Sequence, residues 1–147
     1  MIRPLRPLAV LTSLLTAGCL ASPSGNGNAP IVGTWNYAGV QTSPITATLN
    51  GTLQINSQQN GNFSGTLSVT ETPNGGQPVI RSGAVSGQSI SSTGVTFYVT
   101  LDNGSDDVSR VHLGTIAGDS LNGFWAEPDG GSGAPSGSFR AHRVVTP

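Results

Sequence analysis

Apolar residues recur at every second position over short stretches from Ile31 onward, and the stretches are bounded by Gly, Asn, Pro, Ser or Asp. A β-strand points successive side chains to opposite faces, so this spacing predicts strands with one apolar and one polar face. The spacing of three to four residues that marks an amphipathic helix is missing from the same region. The alternation therefore restricts the chain to all-β folds.

Turn signals divide this region into eight predicted strands, at about residues 31–39, 46–56, 62–72, 79–87, 94–101, 107–117, 119–126 and 136–145. The strongest turn signals are Asn60-Gly61, Asn74-Gly75-Gly76, Asp102-Asn103-Gly104 and Gly130-Gly131. The connections are too short for crossover helices, so we expect consecutive strands to pair antiparallel.

A glycine followed two residues later by an apolar side chain recurs along these strands, as in Gly51-Thr52-Leu53 and Gly65-Thr66-Leu67. Both residues of such a pair face the same side, and glycine on an inner face lets a sheet bend sharply and coil on itself. The other face is mostly Thr, Ser, Asn and Gln. We therefore predict an eight-stranded antiparallel up-and-down β-barrel, whose interior is filled by side chains or holds one small ligand. The alternative is a β-sandwich, which would need Greek-key crossovers.

Composition excludes several classes of function. Only 9% of the residues are charged and the formal net charge is -1, so nothing electrostatic points to a nucleic-acid partner. The single cysteine excludes an internal disulfide and a cysteine-rich zinc site. No G-x-S-x-G, H-E-x-x-H or P-loop motif is present, so we expect neither catalysis nor a cofactor. Asp102–Asp107 fails the spacing of a calcium loop, and with only two histidines we predict no metal site.

Residues 1–18 have the pattern of an export signal. Arg3 and Arg6 precede the apolar run Leu8–Leu15, which is far shorter than the roughly 20 residues needed to span a bilayer. Thr16, Ala17 and Gly18 then lead to Cys19, and this resembles the lipobox of bacterial lipoproteins. The resemblance implies cleavage before Cys19 and attachment of a diacylglyceryl group to its sulfur, although Thr16 stands where the pattern usually has Leu.

Three segments follow from this interpretation: a signal peptide at 1–18, the lipidated Cys19 with a flexible tether to residue 30, and a barrel domain at 31–147. Two or more acyl chains give stable anchoring, so the membrane is an expected partner. By the same resemblance, Leu20 after the cysteine favours the outer membrane. The alternative is an ordinary secretory peptide cut after Ala21, which would release a secreted protein.

The two ends of the predicted barrel carry a second resemblance. Ile31-Val32-Gly33-Thr34-Trp35 is similar to the G-x-W opening of lipocalin and avidin-type barrels, and Gly137–Arg143 is similar to their closing strand. The lipocalin pattern implies that Trp35 plugs one end with Arg143 or Arg140 packed across it. Only Trp35 and Trp125 are present, so biotin binding is not expected. Small periplasmic protease inhibitors also open with G-x-W, but their disulfide is missing here.

Arg110 and His112 alternate along the sixth predicted strand and share a face with Gly114. One register would point both side chains into the barrel, where they could bind a carboxylate or phosphate head group. The other register, which we favour from the sequence, buries Val111 and Leu113 and leaves the charges in water.

Trp125 shares a face with Gly123 and is expected inside, with Phe124 outside. The candidate ligand contacts are thus Phe97, Arg110, His112 and Trp125. The sequence predicts a lipid-anchored envelope protein that binds a small apolar or amphipathic ligand. The alternative is a surface-interaction module or a protease-inhibitor-like barrel with a filled interior.

Overall fold

The computed structural model describes residues 27–102, 107–128, 131 and 133–145, so the predicted signal peptide and Cys19 lie outside the described residues. Eight strands lie close to the predicted ranges: β1 Gly33–Ser43, β2 Ala47–Gln59, β3 Asn62–Pro73, β4 Val79–Ser89, β5 Gly94–Leu101, β6 Val108–Ala117, β7 Ser120–Ala126 and β8 Ser136–Arg143. In the described part of the chain, no helix is long and apolar enough to cross a membrane.

Every strand pairs antiparallel with the next one along the chain, and β1 pairs with β8 to close the barrel. The predicted up-and-down barrel is therefore confirmed, and the sandwich alternative is wrong. In β1, Trp35 lies opposite Leu53 of β2 and Arg143 of β8. The barrel divides into a closed end, where β1 begins and β8 ends, and a mouth, where β1 ends and β8 begins.

The segment 27–32 covers the closed end before β1 starts. Ala29 and Ile31 are fully buried. The amide nitrogen of Ala29 donates to the Ser91 carbonyl at 3.1 Å, and the Ala29 carbonyl accepts from Gln58 Nε2 at 2.8 Å. The packed domain thus begins earlier than the predicted boundary at Ile31, because residues assigned to the flexible tether supply both apolar surface and hydrogen bonds to the barrel.

Arg143 and Trp35 lie together at this closed end. The Arg143 guanidinium carbon is 4.2 Å from the centre of the Trp35 ring, and Trp35 Nε1 donates to the Ile31 carbonyl at 2.9 Å. The same guanidinium donates to the carbonyls of Val32 and Pro30. Arg140 is exposed, so only Arg143 makes the contact that the lipocalin resemblance implies.

Close approach of neighbouring strands explains the recurring glycines. A Cβ atom on Gly51 would lie 1.9 Å from the Ser68 carbonyl oxygen, and one on Gly65 would lie 1.9 Å from that of Gln54. Since no side chain fits at such distances, glycine is needed where the sheet coils most tightly. The centre of the barrel is filled by fully buried side chains that include Leu53, Leu67, Val85 and Phe97.

The register of β6 is opposite to the one favoured from the sequence. Arg110 and His112 point into the barrel with exposed fractions of 4% and 1%, whereas Leu113 is 56% exposed. Ile116, on the same face as His112, is buried. Leu113 lies opposite Phe124 of β7, which is also exposed. Burial of Arg110 is tolerated because the carboxylates of Glu71 on β3 and of Glu127, just after β7, meet it inside the mouth.

Candidate functional site

Four charged side chains form the mouth cluster, which comprises Glu71, Arg81, Arg110 and Glu127. Arg110 donates from Nε to Glu127 at 3.0 Å and from Nη2 to Glu71 at 3.2 Å. Arg81 Nε also contacts Glu71 at 3.2 Å. Because β4 and β5 separate β3 from β6, the Arg110–Glu71 bridge crosses the barrel interior. The two positive and two negative formal charges of the cluster cancel.

An aromatic layer lies below the mouth cluster and comprises Tyr37, Phe97, His112, Trp125 and Phe139. The guanidinium carbon of Arg110 is 4.3 Å from the centre of the Trp125 ring, which joins the cluster to the layer. His112 stacks on Phe97 with ring centres 4.5 Å apart, and Tyr37 stacks on Phe139 at 5.6 Å. The layer gives the inner wall flat apolar surfaces directly beneath charged groups.

Two titratable groups of this layer are held neutral by burial. Desolvation lowers the pKa of His112 to about 3, and the positive charge of Arg110 acts in the same direction. Desolvation also raises the pKa of Tyr37 well above its usual value, against a smaller opposing effect of Arg110. The Tyr37 hydroxyl and His112 Nε2 are 3.2 Å apart, so the two groups form a neutral hydrogen-bonded pair at pH 7.

Four buried side-chain atoms make no hydrogen bond within the described part of the chain: Gln41 Oε1, Arg110 Nη1, His112 Nδ1 and Trp125 Nε1. The Gln41 amide is oriented by its Nε2, which donates to the Ile45 carbonyl at 3.2 Å and leaves Oε1 as the free acceptor. A buried polar group without a partner costs about 1–3 kcal/mol, so such groups are normally bonded to protein, water or a ligand. These atoms therefore indicate where a small polar molecule would be held.

The same residues lie on one continuous arc of the wall. Gln41 of β1 is in register with Gly137 of β8, Gly137 with Trp125 of β7, and Trp125 with His112 of β6. Arg110 lies two residues further along the same face of β6. Gly137 has no side chain, and a Cβ there would lie 1.8 Å from the Val40 carbonyl oxygen. No side chain therefore lies between those of Gln41 and Trp125, and the backbone of β1 packs closely on Gly137.

The structure brings the four candidate ligand contacts together: Phe97, Arg110, His112 and Trp125 all face the interior near the mouth. The sequence-based selection missed the partners that complete the site, namely Tyr37, Gln41, Glu71, Arg81 and Glu127. A signal was present, because Tyr37 and Gln41 share the period-two face of Trp35, and Glu71 shares that of Leu67.

The outer wall carries two further features. A groove of about 480 Å³ runs over β1, β2 and β8 and is lined by residues that include Val40, Asn50 and Arg140. On the adjoining strands β6 and β7, Phe124 is 72% exposed beside Leu113. Within the described residues, no group of three or more His, Cys, Asp or Glu side chains is arranged to hold a metal ion. Residues 103–106 of the acidic turn fall outside that description.

No protein-family model matches the chain, and no curated protein is similar to it in sequence. Solved structures with the same fold do exist. A de novo designed fluorescence-activating β-barrel matches with a TM-score of 0.56 and 17% identity, over 78% of this chain and 94% of its own.

Two further matches are structures bound to DFHBI. A redesigned β-barrel, mFAP1, has a TM-score of 0.58 and 12% identity over 76% of this chain and 94% of its own. EF1p2_mFAP2b has a TM-score of 0.59 and 13% identity over 77% of this chain and 93% of its own. At these identities the likeness shows a shared fold: the chain is a small closed β-barrel.

Proposed function

We propose that this protein is a lipid-anchored protein of the cell envelope whose barrel binds a small amphipathic ligand at its mouth, without chemistry on that ligand. The observation that carries the binding function is the arc of four buried polar atoms without partners, Gln41 Oε1, Arg110 Nη1, His112 Nδ1 and Trp125 Nε1. The aromatic layer supplies apolar contact next to them. An amphipathic molecule matches both kinds of surface, whereas a wholly apolar one would leave the polar atoms unpaired.

The structural neighbours support this proposal by example. Two of them, one of which is a redesigned β-barrel, are bound to DFHBI, so proteins that align with most of this chain do bind a small molecule. An eight-stranded barrel leaves room for at most one small ligand beside its own side chains. Since the centre of the barrel is packed, we place the ligand above the aromatic layer, where the mouth cluster lies.

Native mass spectrometry of the purified full-length protein tests the ligand. We expect a co-purified small molecule on the wild-type protein and its loss in Trp125→Phe, which keeps the aromatic ring but removes the N–H group. Phe124→Leu is the matched control, because Phe124 neighbours Trp125 in sequence but faces outward. A folded wild-type protein that carries nothing from cells, and that gains nothing from a lipid-extract library, would contradict the proposal.

The anchor is proposed from the leader and from Cys19, the only cysteine of the chain. Cys19→Ser should move the protein from the membrane fraction to the soluble fraction and remove the acyl mass from the mature N-terminus. Thr16→Leu is the control, since it restores the commonest lipobox residue and should leave the protein lipidated. Persistent membrane fractionation of the Cys19→Ser variant would show that something other than a lipid holds the protein.

A second candidate function is a surface-interaction module that uses the outer wall. It is favoured by the packed barrel centre and by the exposed Leu113–Phe124 pair on β6 and β7. Two substitutions distinguish the two functions. Phe124→Ser should abolish binding of a partner protein and leave ligand binding unchanged. Trp125→Phe should abolish ligand binding and leave binding of a partner protein unchanged.

A further inference from the structure

We infer that the site at the mouth takes an uncharged head group that both donates and accepts a hydrogen bond, of the carboxamide, lactam or urea class, held between the side chains of Gln41 and Trp125. This inference rests on the proposed ligand-binding function and specifies the ligand's polar end. It replaces the carboxylate or phosphate that the presence of Arg110 and His112 suggests in the sequence.

Charge inside the mouth argues against an anion. Arg110 is already bridged to two carboxylates, Glu71 and Glu127, and the second cation, Arg81, also contacts Glu71. The cluster is neutral as it stands, so an anionic ligand would bring a third negative charge into a buried site. His112 does not offset that charge, because burial keeps it neutral at pH 7. A neutral ligand adds no charge and leaves the bridges in place.

The hydrogen-bonding groups of the site select the same class. The unpartnered atom of Gln41 is its acceptor, Oε1, whereas its Nε2 already donates to the Ile45 carbonyl. Trp125 Nε1 and Arg110 Nη1 offer only donors. A carboxylate or phosphate dianion has no proton for Gln41 Oε1, and an ammonium group cannot accept from the indole. An amide satisfies both sides at once, since its N–H faces Gln41 and its carbonyl faces Trp125 or Arg110.

Position along the wall allows this arrangement. Gln41 and Trp125 lie in one register row on β1 and β7, with only Gly137 of β8 between them. Neighbouring strands are about 4.8 Å apart, so the two backbones are separated by about 10 Å. Gly137 places no side chain between those of Gln41 and Trp125, because the β1 backbone at Val40 packs against it. The apolar end of the ligand then lies against Trp125 and the rest of the aromatic layer.

The two tryptophans make the test direct. The indole N–H of Trp125 has no partner within the described residues, whereas that of Trp35 is bonded to the Ile31 carbonyl at the closed end. We would titrate the full-length ¹⁵N-labelled protein with benzamide, benzoate and toluene and follow both indole N–H signals by NMR. Benzamide should shift Trp125 saturably and leave Trp35 unmoved. Benzoate should bind at least roughly tenfold more weakly because it lacks the donor, and so should toluene because it lacks both the donor and the acceptor.

Gln41→Leu is the matched variant, and the unchanged Trp35 signal reports that it is folded. Benzamide binding should weaken roughly fivefold or more in this variant. If benzoate shifts Trp125 as strongly as benzamide, the head-group class is wrong while the binding function stands. If toluene does so, the site is simply apolar and the class is again wrong. If no probe moves Trp125 up to its solubility limit, both the head-group class and the ligand-binding function are overturned.

Discussion

At the level of a single residue, burial of His112 lowers the pKa of its ring and keeps the ring neutral. Its ring is 1% exposed, stacked on Phe97 and hydrogen-bonded to the Tyr37 hydroxyl. An imidazolium ion would lose its hydration there and would lie near the charge of Arg110. The residue therefore serves the site as a neutral polar ring, and its protonation would act against the folded state.

A pH dependence of stability follows from that shift. The pKa of His112 is about 3 in the folded protein and about 6.5 in an unfolded chain. The unfolded state thus takes up the proton first as the pH falls, so stability declines below pH 6.5. Between pH 7 and pH 5 we expect a loss of about 2 kcal/mol in the free energy of unfolding, measured by urea titration.

The control for this prediction is the second histidine. His112→Gln should flatten the slope between pH 7 and pH 5, whatever its effect on absolute stability. His142→Gln should keep the wild-type slope, because His142 is exposed on the outer wall. A wild-type slope that survives in His112→Gln would assign the pH dependence to other groups.

Arg110 is a buried charge whose burial depends on its partners. Glu71→Gln removes a carboxylate that bridges both Arg110 and Arg81 while keeping the size of the side chain. We expect a loss of about 3 kcal/mol in the free energy of unfolding, because the guanidinium stays buried with less compensation. Chemical denaturation measures it. The control Asp119→Asn breaks the Arg143–Asp119 pair, whose carboxylate is 66% exposed, and should cost below ~1 kcal/mol. Equal losses would contradict a special role for the mouth cluster.

At the scale of elements, the sequence was sufficient for the strands but not for the face of β6. Period-two alternation and turn residues predicted all eight strands, and consecutive antiparallel pairing followed from the short connections. Along β6, however, both faces carry apolar residues: Val111 and Leu113 on one, Ile116 on the other. Because Arg110 and His112 are polar, the sequence favoured the register that leaves both side chains in water. The deciding contacts come from Glu71 on β3 and from Glu127 just after β7, which no local pattern reveals.

The sequence predicts the candidate site only as far as it predicts which face of a strand each side chain occupies, here called strand parity. Trp125 was expected inside because it shares a face with Gly123, and the structure places it there. The same parity argument, applied to β1 from Trp35, would have placed Tyr37 and Gln41 inside. Parity cannot tell which interior groups meet across the lumen, so the Tyr37–His112 hydrogen bond and the Arg110–Glu71 bridge required three-dimensional information.

Strand β8 offers a test of how the closed end is held. Arg143→Ala removes the stacking on Trp35 and the hydrogen bonds to the carbonyls of Val32 and Pro30. We expect a loss of roughly 2–3 kcal/mol in unfolding free energy, together with faster hydrogen exchange at the Ala29 amide. Arg140→Ala, three residues earlier on the same strand but exposed, should stay within about 0.5 kcal/mol of wild type. Unchanged exchange at Ala29 in Arg143→Ala would show that segment 27–32 is held by its other contacts.

At the scale of the whole molecule, the two ends of the barrel hold different kinds of contact. The closed end is sealed by hydrogen-bonded backbone and by the Trp35–Arg143 stack. The mouth holds the charged bridges and, within the described residues, the polar atoms that lack partners. Substitutions at the closed end should therefore change unfolding without changing ligand selectivity. Conservative substitutions of Gln41 or Trp125 should change ligand selectivity.

Closure of the barrel joins strands from opposite ends of the chain. Trp35 of β1 pairs with Arg143 of β8, and the Val144 amide donates to the Thr34 carbonyl at 2.8 Å. Such distant pairing slows folding, because the connecting chain must be ordered first. A circular permutant that links Val145 to Gly27 and opens the chain between Gly75 and Gly76 makes β1–β8 a local pair and β3–β4 the distant pair, so it should fold at a rate close to that of wild type in stopped-flow measurements.

The site of opening decides how much stability the permutant retains. The turn at residues 74–76 is exposed, so opening it should cost less than about 2 kcal/mol. Opening between Asn60 and Gly61 is the matched alternative at the closed end. There the Gly61 carbonyl accepts from the Ser89 amide at 2.8 Å, and Gly61 packs close to the Asn28 side chain. This second permutant should lose more stability because both contacts depend on the intact turn. If the first permutant instead folds much faster than wild type, pairing of β1 with β8 is slower than pairing of β3 with β4, and the length of chain between the closing strands does not by itself set the folding rate.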